Sequence, residues 1–296
     1  MESEIRALRS ILFTPGNDAR KLEKVGTFGA DAVALDLEDA VLYSDKEEAR
    51  VMARESIARA GSDGSEVFVR INNSLSDLAE KDLHEVVVDG LSGILIPKVG
   101  SPRQISEIDS VIEKLEINRG IEQGSIKLLP TLETAQGILE AYSIASSSPR
   151  VLALVLGAED LTMDIGVERT VEGIEIAHAR EHIVLSAAAA HVQAIDSVYV
   201  DFRNIEGLVK DASLGRRLGY KGKLLIHPGQ VEPVNNIFTP TKEEVDYARR
   251  IVEAYNNSSQ EGYGVAVLDG KMLDSPVVKR ARKLLDLYEE ILRRSS

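Results

Sequence analysis

The sequence predicts an α/β fold, a (β/α)8 TIM barrel with a C-terminal helical extension. Three observations predict it: eight short runs rich in β-branched residues and leucine, starts separated by 21 to 43 residues, and helix-like patterns between the runs. Strands that alternate with helices pair in parallel through right-handed crossovers, and eight such units close a barrel. A doubly wound open sheet is the alternative, but no G-x-G-x-x-G fingerprint follows an early strand.

Each predicted strand is an apolar run that ends at polar or turn-forming residues. The eight strands are predicted over residues 10–14, 31–37, 66–71, 93–97, 126–131, 151–156, 194–200 and 223–227. Examples of the helical patterns between them are residues 46–60, 103–117, 135–145, 171–191 and 205–218. We therefore assign residues 1–232 to the barrel.

The pattern changes after the eighth strand, which predicts a C-terminal extension over residues 233–296. A helix that begins near Thr239 or Thr241 precedes a polar loop over residues 256–264. An apolar run, a turn at Asp269 and Gly270, and an amphipathic helix from about Ser275 follow. These elements lie outside the eightfold repeat.

Composition limits the classes of function. The 296 residues include 35 Lys and Arg and 48 Asp and Glu, a net charge of −13 that repels nucleic acid and anionic membranes. The absence of cysteine excludes disulfides and thiolate chemistry and fits a reducing compartment. Residues 1–13 do not resemble a secretory signal, and no apolar run is long enough to span a bilayer. We expect a cytoplasmic protein without nucleic-acid or membrane partners.

Ionisable residues follow almost every predicted strand. In a parallel barrel the active face lies at the carboxyl ends of the strands. The candidates in strand order are Asp36, Glu38, Asp39, Arg70, Asn72, Lys98, Glu133, Asp160, Asp201 and His227. One loop charge is usually solvated, but charges from so many strands around one rim predict a shared cluster.

Glu133 and Asp160 follow adjacent predicted strands, so their carboxylates are expected to share one space. Oxygen ligands without a nearby cysteine or histidine suit Mg2+, which retains waters and takes further ligands from its substrate. Glu38 and Asp39 are expected to hold those waters. The alternative is a carboxylate ring that is balanced by cationic side chains, without a metal.

Arg70 and Lys98 are the cationic candidates at the rim. The planar guanidinium of Arg70 suits the carboxylate of a small organic acid, and a salt bridge to Glu38 or Glu133 is the alternative. Lys98 admits a Schiff-base role, but the surrounding carboxylates would keep its amine protonated. We expect Lys98 to give electrostatic support.

The remaining motifs are weaker. His178 and His182 have zinc-ligand spacing, but their long helix favours a solvated face. His227 ends the eighth strand and is therefore a candidate at the mouth. Residues Arg20, Lys21 and Lys24 are candidates for phosphate contacts or for a solvated helix face. No phosphate-binding loop and no G-x-S-x-G elbow occurs.

Five groups of motifs occur in order from Arg9 to about Ala281: RSILFTPGN, DAVALDLEDAV, FVRIN, LLPTLETAQG with VLGAEDLT, and GKLLIHPGQVEPVNNIFTPTKEEVDYA with LDGKMLDSP. This set resembles the citrate lyase beta chain and its relatives, the malyl-CoA and citramalyl-CoA lyases of the HpcH/HpaI aldolase superfamily. The resemblance implies a barrel, Mg2+ on Glu133 and Asp160, and Arg70 on the substrate carboxylate.

The resemblance also implies an assembly and a reaction. Relatives form trimers or hexamers in which the C-terminal segment reaches a neighbouring barrel, so Asp274 would be the general acid/base. The implied reaction is Mg2+-dependent cleavage of a 3-hydroxyacyl thioester, of citryl, citramalyl or malyl type, to a keto acid and an acyl thioester. His227 would lie on the thioester side, and the thioester carrier would be CoA or an acyl carrier protein.

Two further interpretations of the function stay open. One is a keto-acid aldolase that needs no thioester. The other is a partner-dependent subunit of a citrate lyase complex, which acts on a substrate bound to an acyl carrier.

Overall fold

The computed structural model describes residues 7–260 and 264–294. Residues 8–236 form one compact unit, a closed barrel whose parallel strands pair in chain order until β8 pairs with β1. Its strands are β1 (Ser10–Pro15), β2 (Ala32–Asp36), β3 (Glu66–Arg70), β4 (Gly93–Ile96), β5 (Lys127–Leu132), β6 (Ala153–Leu156), β7 (Gln193–Asp196) and β8 (Gly222–Leu225). The predicted barrel is confirmed.

Helices follow the strands around the barrel. They are α1 (Ala19–Leu22), α2 (Lys46–Ala60), α3 (Asp77–Val86), α4 (Pro102–Arg119), α5 (Ala135–Leu139), α6 (Ala141–Ala145), α7 (Ala158–Asp164), α8 (Ala177–Ala189), α9 (Ile205–Leu218) and α10 (Val231–Phe238). Helices α2 and α9 have the predicted bounds. Helix α4 is delimited by a capping box of Ser101 and Gln104 and by left-handed Gly120, signals that extend it beyond the predicted span.

Three predicted barrel elements differ from the structure in continuity or by more than two residues at one end. The helix expected over residues 135–145 is two helices, because Glu140 (φ −92°, ψ 8°) departs from helical geometry. The helix expected over residues 171–191 is shorter, because left-handed Gly173 precedes a 3-10 turn at Ile174–Ile176 and α8 follows that turn. The strand expected over residues 194–200 ends at Asp196.

Alternate strand residues fill the barrel interior, as the two-residue period of a strand requires. The buried interior cluster consists of Leu8, Ile11, Ala32, Ala34, Phe68, Leu95, Leu129, Ala153, Val155, Ile195 and Leu224. Continuing this alternation along β2 and β3 places Asp36 and Arg70 on the same inward face, above Ala34 and Phe68. The strand period therefore directs charged side chains into the barrel mouth.

The outward face of β7 and β8 carries a buried ion network. Lys223 Nζ lies 3.1 Å from Asp196 Oδ2 and 2.5 Å from Asp211 Oδ2. Arg180 donates to Asp196 and lies 3.0 Å from Asp211 Oδ1. Gly215 makes room for Asp196, because a Cβ at that position would lie 2.7 Å from Asp196 Oδ2. The network joins both strands to helices α8 and α9.

The second compact unit contains Ala7 and the described residues from 237 to 294. Its helices α11 (Lys242–Gln260) and α12 (Ser275–Arg294) pack with an antiparallel pair, β9 (Ala266–Leu268) and β10 (Lys271–Leu273). The predicted turn at Asp269 and Gly270 joins these strands, and both residues have positive φ, as a two-residue hairpin turn requires.

The start of α11 agrees with one of the two predicted positions. Thr241 caps the helix through its hydroxyl and the N–H of Glu244, and the Glu244 carboxylate accepts from the N–H of Thr241. The predicted loop over residues 256–264 is partly wrong, because α11 continues to Gln260; residues 261–263 lie outside the described part of the chain. Across the described ranges, no helix is long and apolar enough to cross a membrane.

Candidate active site

A cavity of about 810 Å³ opens at the carboxyl ends of the barrel strands. Six of the candidate residues predicted from the sequence line it: Asp36, Asp39, Arg70, Glu133, Asp160 and His227. The apolar part of the lining includes Leu12, Phe13, Leu156, Val198 and Leu224. The cavity lining therefore combines charged and apolar side chains.

Asp36 and Arg70 form the fixed part of the charged lining. They are register partners on β2 and β3, and Arg70 donates from Nε and Nη2 to the two Asp36 oxygens, each at 2.7 Å. The guanidinium also lies 4.9 Å from the centre of the Phe13 ring. Burial opposes the charge of Arg70, but the hydrogen bonds and charge of Asp36 raise its pKa above the usual value. Arg70 is therefore a permanent cation with a locked orientation.

Glu38 links Arg70 to Lys98. Its Oε1 accepts from Lys98 Nζ at 3.0 Å, and its Oε2 lies 3.2 Å from Arg70 Nη1. The angle of the Arg70 approach does not meet hydrogen-bond geometry, so Oε2 is buried without a donor among the described residues. Burial raises the pKa of Glu38, although the charge of Arg70 opposes this. The Glu38–Arg70 contact is therefore an ion pair rather than a hydrogen bond.

Lys98 contributes through its main chain as well as its side chain. Its left-handed backbone (φ 53°) accompanies an N–H that donates to Glu133 Oε1 at 2.7 Å. Burial lowers the pKa of the Lys98 amine, but the hydrogen bond and charge of Glu38 outweigh this and raise it. A more basic amine favours an electrostatic role over a nucleophilic one.

Glu133 is buried where β5 ends. A Cβ on Gly157, which follows β6, would overlap the Oε2 and Cβ atoms of Glu133, so glycine makes room for this carboxylate. Burial, followed by the charges of Glu38 and Asp160, raises the pKa of Glu133 to about 8. A cation between these carboxylates would relieve both the desolvation and the repulsion.

The donor set fits a hard cation that brings its own waters. Asp160 lies in the first turn of α7, is half-buried and lines the cavity with Glu133. The described residues contain no group of three His, Cys, Asp or Glu side chains that would hold a metal unaided. Two carboxylates and the donor-free oxygen of Glu38 suit Mg2+, which usually keeps several waters and binds few protein ligands. The residues fit the predicted ion.

Other predicted residues have different surroundings. The imidazole of His227 lies at the cavity wall, accepts from the N–H of Gly229 at 3.0 Å and stacks on Phe202 with ring centres 4.9 Å apart. Asn72 is buried and donates to Asp82, so it braces the barrel exterior. Asp201 is exposed and does not line the cavity.

Arg20, Lys21 and Lys24 bring positive charge to the cavity wall from α1 and the residues just after it. The zinc interpretation of the α8 histidines has no support from Glu175, whose carboxylate is bound by Thr170 and Arg169. Sequence reasoning gave no role to Phe13 or Gly157. Both could have been found from the two-residue alternation of their strands, which places Phe13 and Gly157 on the inward face.

Asp274 lies in the second unit, directly before α12. Its Oδ1 accepts from the N–H of Val277 at 3.2 Å, which makes it the N-cap of that helix. Its second carboxylate oxygen is not used by this bond. The residue therefore has a structural role whatever its chemistry.

Comparisons with known proteins agree on one family. The model of the HpcH/HpaI aldolase/citrate lyase family matches residues 9–228. The chain is 38% identical over 278 residues to citrate lyase subunit beta of Haemophilus influenzae, covering 94% of this chain and 96% of the relative. It is 33% identical over 293 residues to the human mitochondrial citramalyl-CoA lyase, covering 96% and 86%. A crystal structure of CitE from Mycobacterium tuberculosis with magnesium, acetoacetate and coenzyme A has 28% identity and a TM-score of 0.76, covering 96% of this chain and 100% of that chain.

Proposed function

Because the chain belongs to the HpcH/HpaI aldolase/citrate lyase family, we propose that its barrel cleaves a 3-hydroxyacyl thioester of citryl, citramalyl or malyl type. The protein is a Mg2+-dependent, CoA-linked carbon–carbon lyase of the oxo-acid-lyase class. The products would be a keto acid and an acyl thioester. The observation that carries the proposal is the buried Glu133 carboxylate beside Asp160, with a fixed arginine across the same cavity.

Glu133 and Asp160 would hold the Mg2+ ion, and Glu38 and Asp39 would hold its waters. When bound, Mg2+ supplies Lewis-acid stabilisation of the negative charge that develops on the keto-acid oxygen. The high pKa of Glu133 supports this assignment, since the apo cluster holds more negative charge than its buried surroundings favour.

Arg70 binds the carboxylate of the keto-acid half. Asp36 occupies Nε and Nη2, which leaves Nη1, 3.2 Å from Glu38 and 3.7 Å from Asp39, as the nitrogen that is offered to the substrate carboxylate. Because Asp36 fixes the plane of the guanidinium, the substrate carboxylate meets a preoriented donor. Lys98 adds positive potential beside Glu38.

Asp274 is the proposed acid/base. As the C2–C3 bond breaks, the 3-hydroxyl releases its proton to solvent water, C3 becomes a carbonyl, and the bonding electrons move to C2 as the enolate of the acyl thioester. Asp274 starts this step in its acid form and takes up a proton from solvent afterwards. Asp274 gives C2 a proton, or removes that proton in the condensation direction. We assign this step to Asp274 of a neighbouring subunit, on the basis of the family resemblance.

The thioester arm would lie along the remaining cavity wall. Its apolar residues suit a pantetheine chain, Arg20, Lys21 and Lys24 suit phosphates, and His227 lies on the proposed thioester side. We propose CoA or an acyl carrier protein as the carrier. We also propose a homotrimer or hexamer in the cytoplasm, with other citrate lyase subunits as partners if the carrier is a protein.

The test is an assay of purified protein with Mg2+ against citryl-, citramalyl- and malyl-CoA, which follows keto-acid release with and without EDTA. Rapid, EDTA-sensitive cleavage of one ester is expected and identifies the acyl group. Cleavage of free hydroxy-keto acids without any thioester would instead establish an aldolase. Metal-dependent keto-acid binding without turnover of any CoA ester would establish a partner-dependent subunit.

A further inference from the structure

The loop after β2, which carries Glu38, is held by the side chains of Asp36 and Lys46. Asp36 accepts from the main-chain N–H groups of Glu38 at 2.9 Å and Ala40 at 3.1 Å. Lys46 Nζ donates to the carbonyl oxygens of Leu37 at 2.6 Å and Glu38 at 2.5 Å. Four hydrogen bonds from two side chains therefore fix a short stretch of main chain at the cavity.

Lys46 occupies a costly position for an ammonium group. It is 8% exposed and is the first residue of α2, where the positive end of the helix dipole disfavours a cation. Burial lowers the pKa of its amine, against the opposing charges of Asp36, Asp82, Glu38 and Asp39. Within the described residues its hydrogen bonds go to main-chain carbonyls alone. The helix gains nothing from a lysine at its first position. The hydrogen bonds to the two carbonyl oxygens explain why a lysine is found there.

The loop position decides where the Glu38 carboxylate lies. That carboxylate reaches Lys98 through Oε1 and approaches Arg70 through Oε2, so a displaced loop would separate all three groups. Asp36 cannot hold the loop by itself with the same rigidity, because its oxygens also accept two hydrogen bonds from Arg70. The carbonyl side of the loop depends on the ammonium.

We propose that Lys46 is a positioning residue, whose ammonium holds the Leu37 and Glu38 carbonyls and thereby fixes the Glu38 carboxylate against Arg70 and Lys98. Lys46 touches neither the cavity nor the substrate. The predicted effect of a Lys46 substitution on turnover rests on the proposed function, whereas its predicted effect on the loop does not. One measurement therefore follows the loop and a second follows turnover.

The first measurement is amide hydrogen exchange of the peptide that spans residues 37–42, in the full-length protein. Lys46→Met is expected to speed exchange in this peptide and to leave peptides from β7 and β8 unchanged. The matched control is Lys242→Met, which alters an exposed lysine that also begins a helix. Unchanged exchange in the folded Lys46→Met protein would overturn the proposal. Lys46→Gln, which keeps an N–H donor, replaces the methionine variant if that protein does not fold.

The second measurement is steady-state turnover with chemical rescue. Lys46→Met is expected to lower kcat about 10–100-fold, the usual effect of losing an outer partner of a metal site, with the thioester KM little changed. Since the natural chain has no cysteine, Lys46→Cys carries a single thiol. Aminoethylation of that thiol in denaturant, followed by refolding, restores an ammonium and is expected to restore kcat.

Wild-type protein treated with the same reagent is the control for alkylation and refolding. A kcat unchanged by Lys46→Met, or a Cys variant that regains no activity once aminoethylated, would contradict the positioning role. If the wild type cleaves none of the thioesters, the proposed function fails, and the exchange measurement still decides whether Lys46 holds the loop.

Discussion

At the scale of single residues, the pKa of Glu133 is set by its surroundings. Its buried carboxyl group has a pKa of about 8, against an ordinary value of 4.5, because burial and two neighbouring carboxylates disfavour its charge. Between these values the folded apo protein retains a proton that the unfolded chain has released. This proton links the stability of the apo protein to pH.

Glu133→Gln is expected to remove that linkage. In the wild type the folded state binds one proton more than the unfolded chain between pH 4.5 and about 8. The free energy of unfolding of the wild type therefore falls as pH rises through this range. The neutral amide does not titrate, so the variant should gain stability relative to wild type over this range. Urea unfolding of both proteins in EDTA, at several pH values, measures the difference. A difference that does not change with pH would contradict the assignment.

Gly157→Ala tests the space that Glu133 occupies. The new methyl group would overlap the Glu133 side chain, so we expect weaker Mg2+ binding with the barrel still folded. Calorimetric titration of Mg2+ in the presence of keto acid measures the affinity. The control is Gly124→Ala, at a turn where a Cβ meets no atom within 4 Å, although its positive φ will cost some stability. Equal Mg2+ affinity in Gly157→Ala and wild type would show that Glu133 can move without loss.

At the scale of elements, the barrel exterior depends on the ion network of β7, β8, α8 and α9. Lys223→Met leaves buried Asp196 and half-buried Asp211 with Arg180 as the remaining cation of the network. Breaking a buried pair by removing one partner typically costs about 3–5 kcal/mol. We expect a loss of that size in the free energy of unfolding.

The matched control for this variant is Lys210→Met on α9, whose side chain is 73% exposed and pairs with Glu206. An exposed pair contributes little, so the loss in the free energy of unfolding should be far smaller than that of Lys223→Met. Urea denaturation of both variants provides the measurement. Equal losses in the free energy of unfolding would show that the buried network stabilises the protein no more than an exposed ion pair does.

The sequence predicts elements and strand ends well because both depend on local pattern. Helices α2 and α9 and the turn at Asp269 follow from periodicity and turn chemistry. The break at Glu140 does not follow, since no glycine or proline marks it. Likewise, a lysine at the start of a helix has the pattern of a solvated residue, so the contacts of Lys46 appear only in three dimensions.

Some features of the candidate site are likewise predictable from the sequence and others are not. Strand periodicity brings Arg70 and Glu133 to one mouth, so their proximity is predictable from the sequence. The donor-free oxygen of Glu38 and the left-handed backbone of Lys98 are not predictable, because each depends on packing between separate loops. Asp274 was indicated by family resemblance alone, and its N-cap role is a property of the folded unit.

At the scale of the whole molecule, the proposal places one acid/base in a unit separate from the barrel. Asp274→Asn keeps a side-chain acceptor for the cap of α12 but cannot transfer the proton. We expect a stable protein that retains metal-dependent keto-acid binding and lacks turnover. Asp274→Ala should lose turnover and also about 1 kcal/mol of stability. Full turnover in Asp274→Asn would remove this residue from the mechanism.

Mixing two inactive variants tests the action across subunits. If Asp274 serves a neighbouring barrel, co-refolded Asp274→Asn and Glu133→Gln chains should regain activity, because some interfaces combine an intact barrel with an intact Asp274. Each variant refolded alone is the control. Mixed oligomers without any recovered turnover would show that both residues act within one chain.

The central claim is that a metal held by Glu133 and Asp160 is required for cleavage of the thioester. The most direct test is Mg2+-dependent turnover of the preferred CoA ester by wild type, Glu133→Gln, Asp160→Asn and the surface control Glu206→Gln. We predict that EDTA abolishes wild-type turnover, that added Mg2+ restores it, and that both site variants lose it while the control retains it. Turnover that resists EDTA, or full activity in both site variants, would contradict the account.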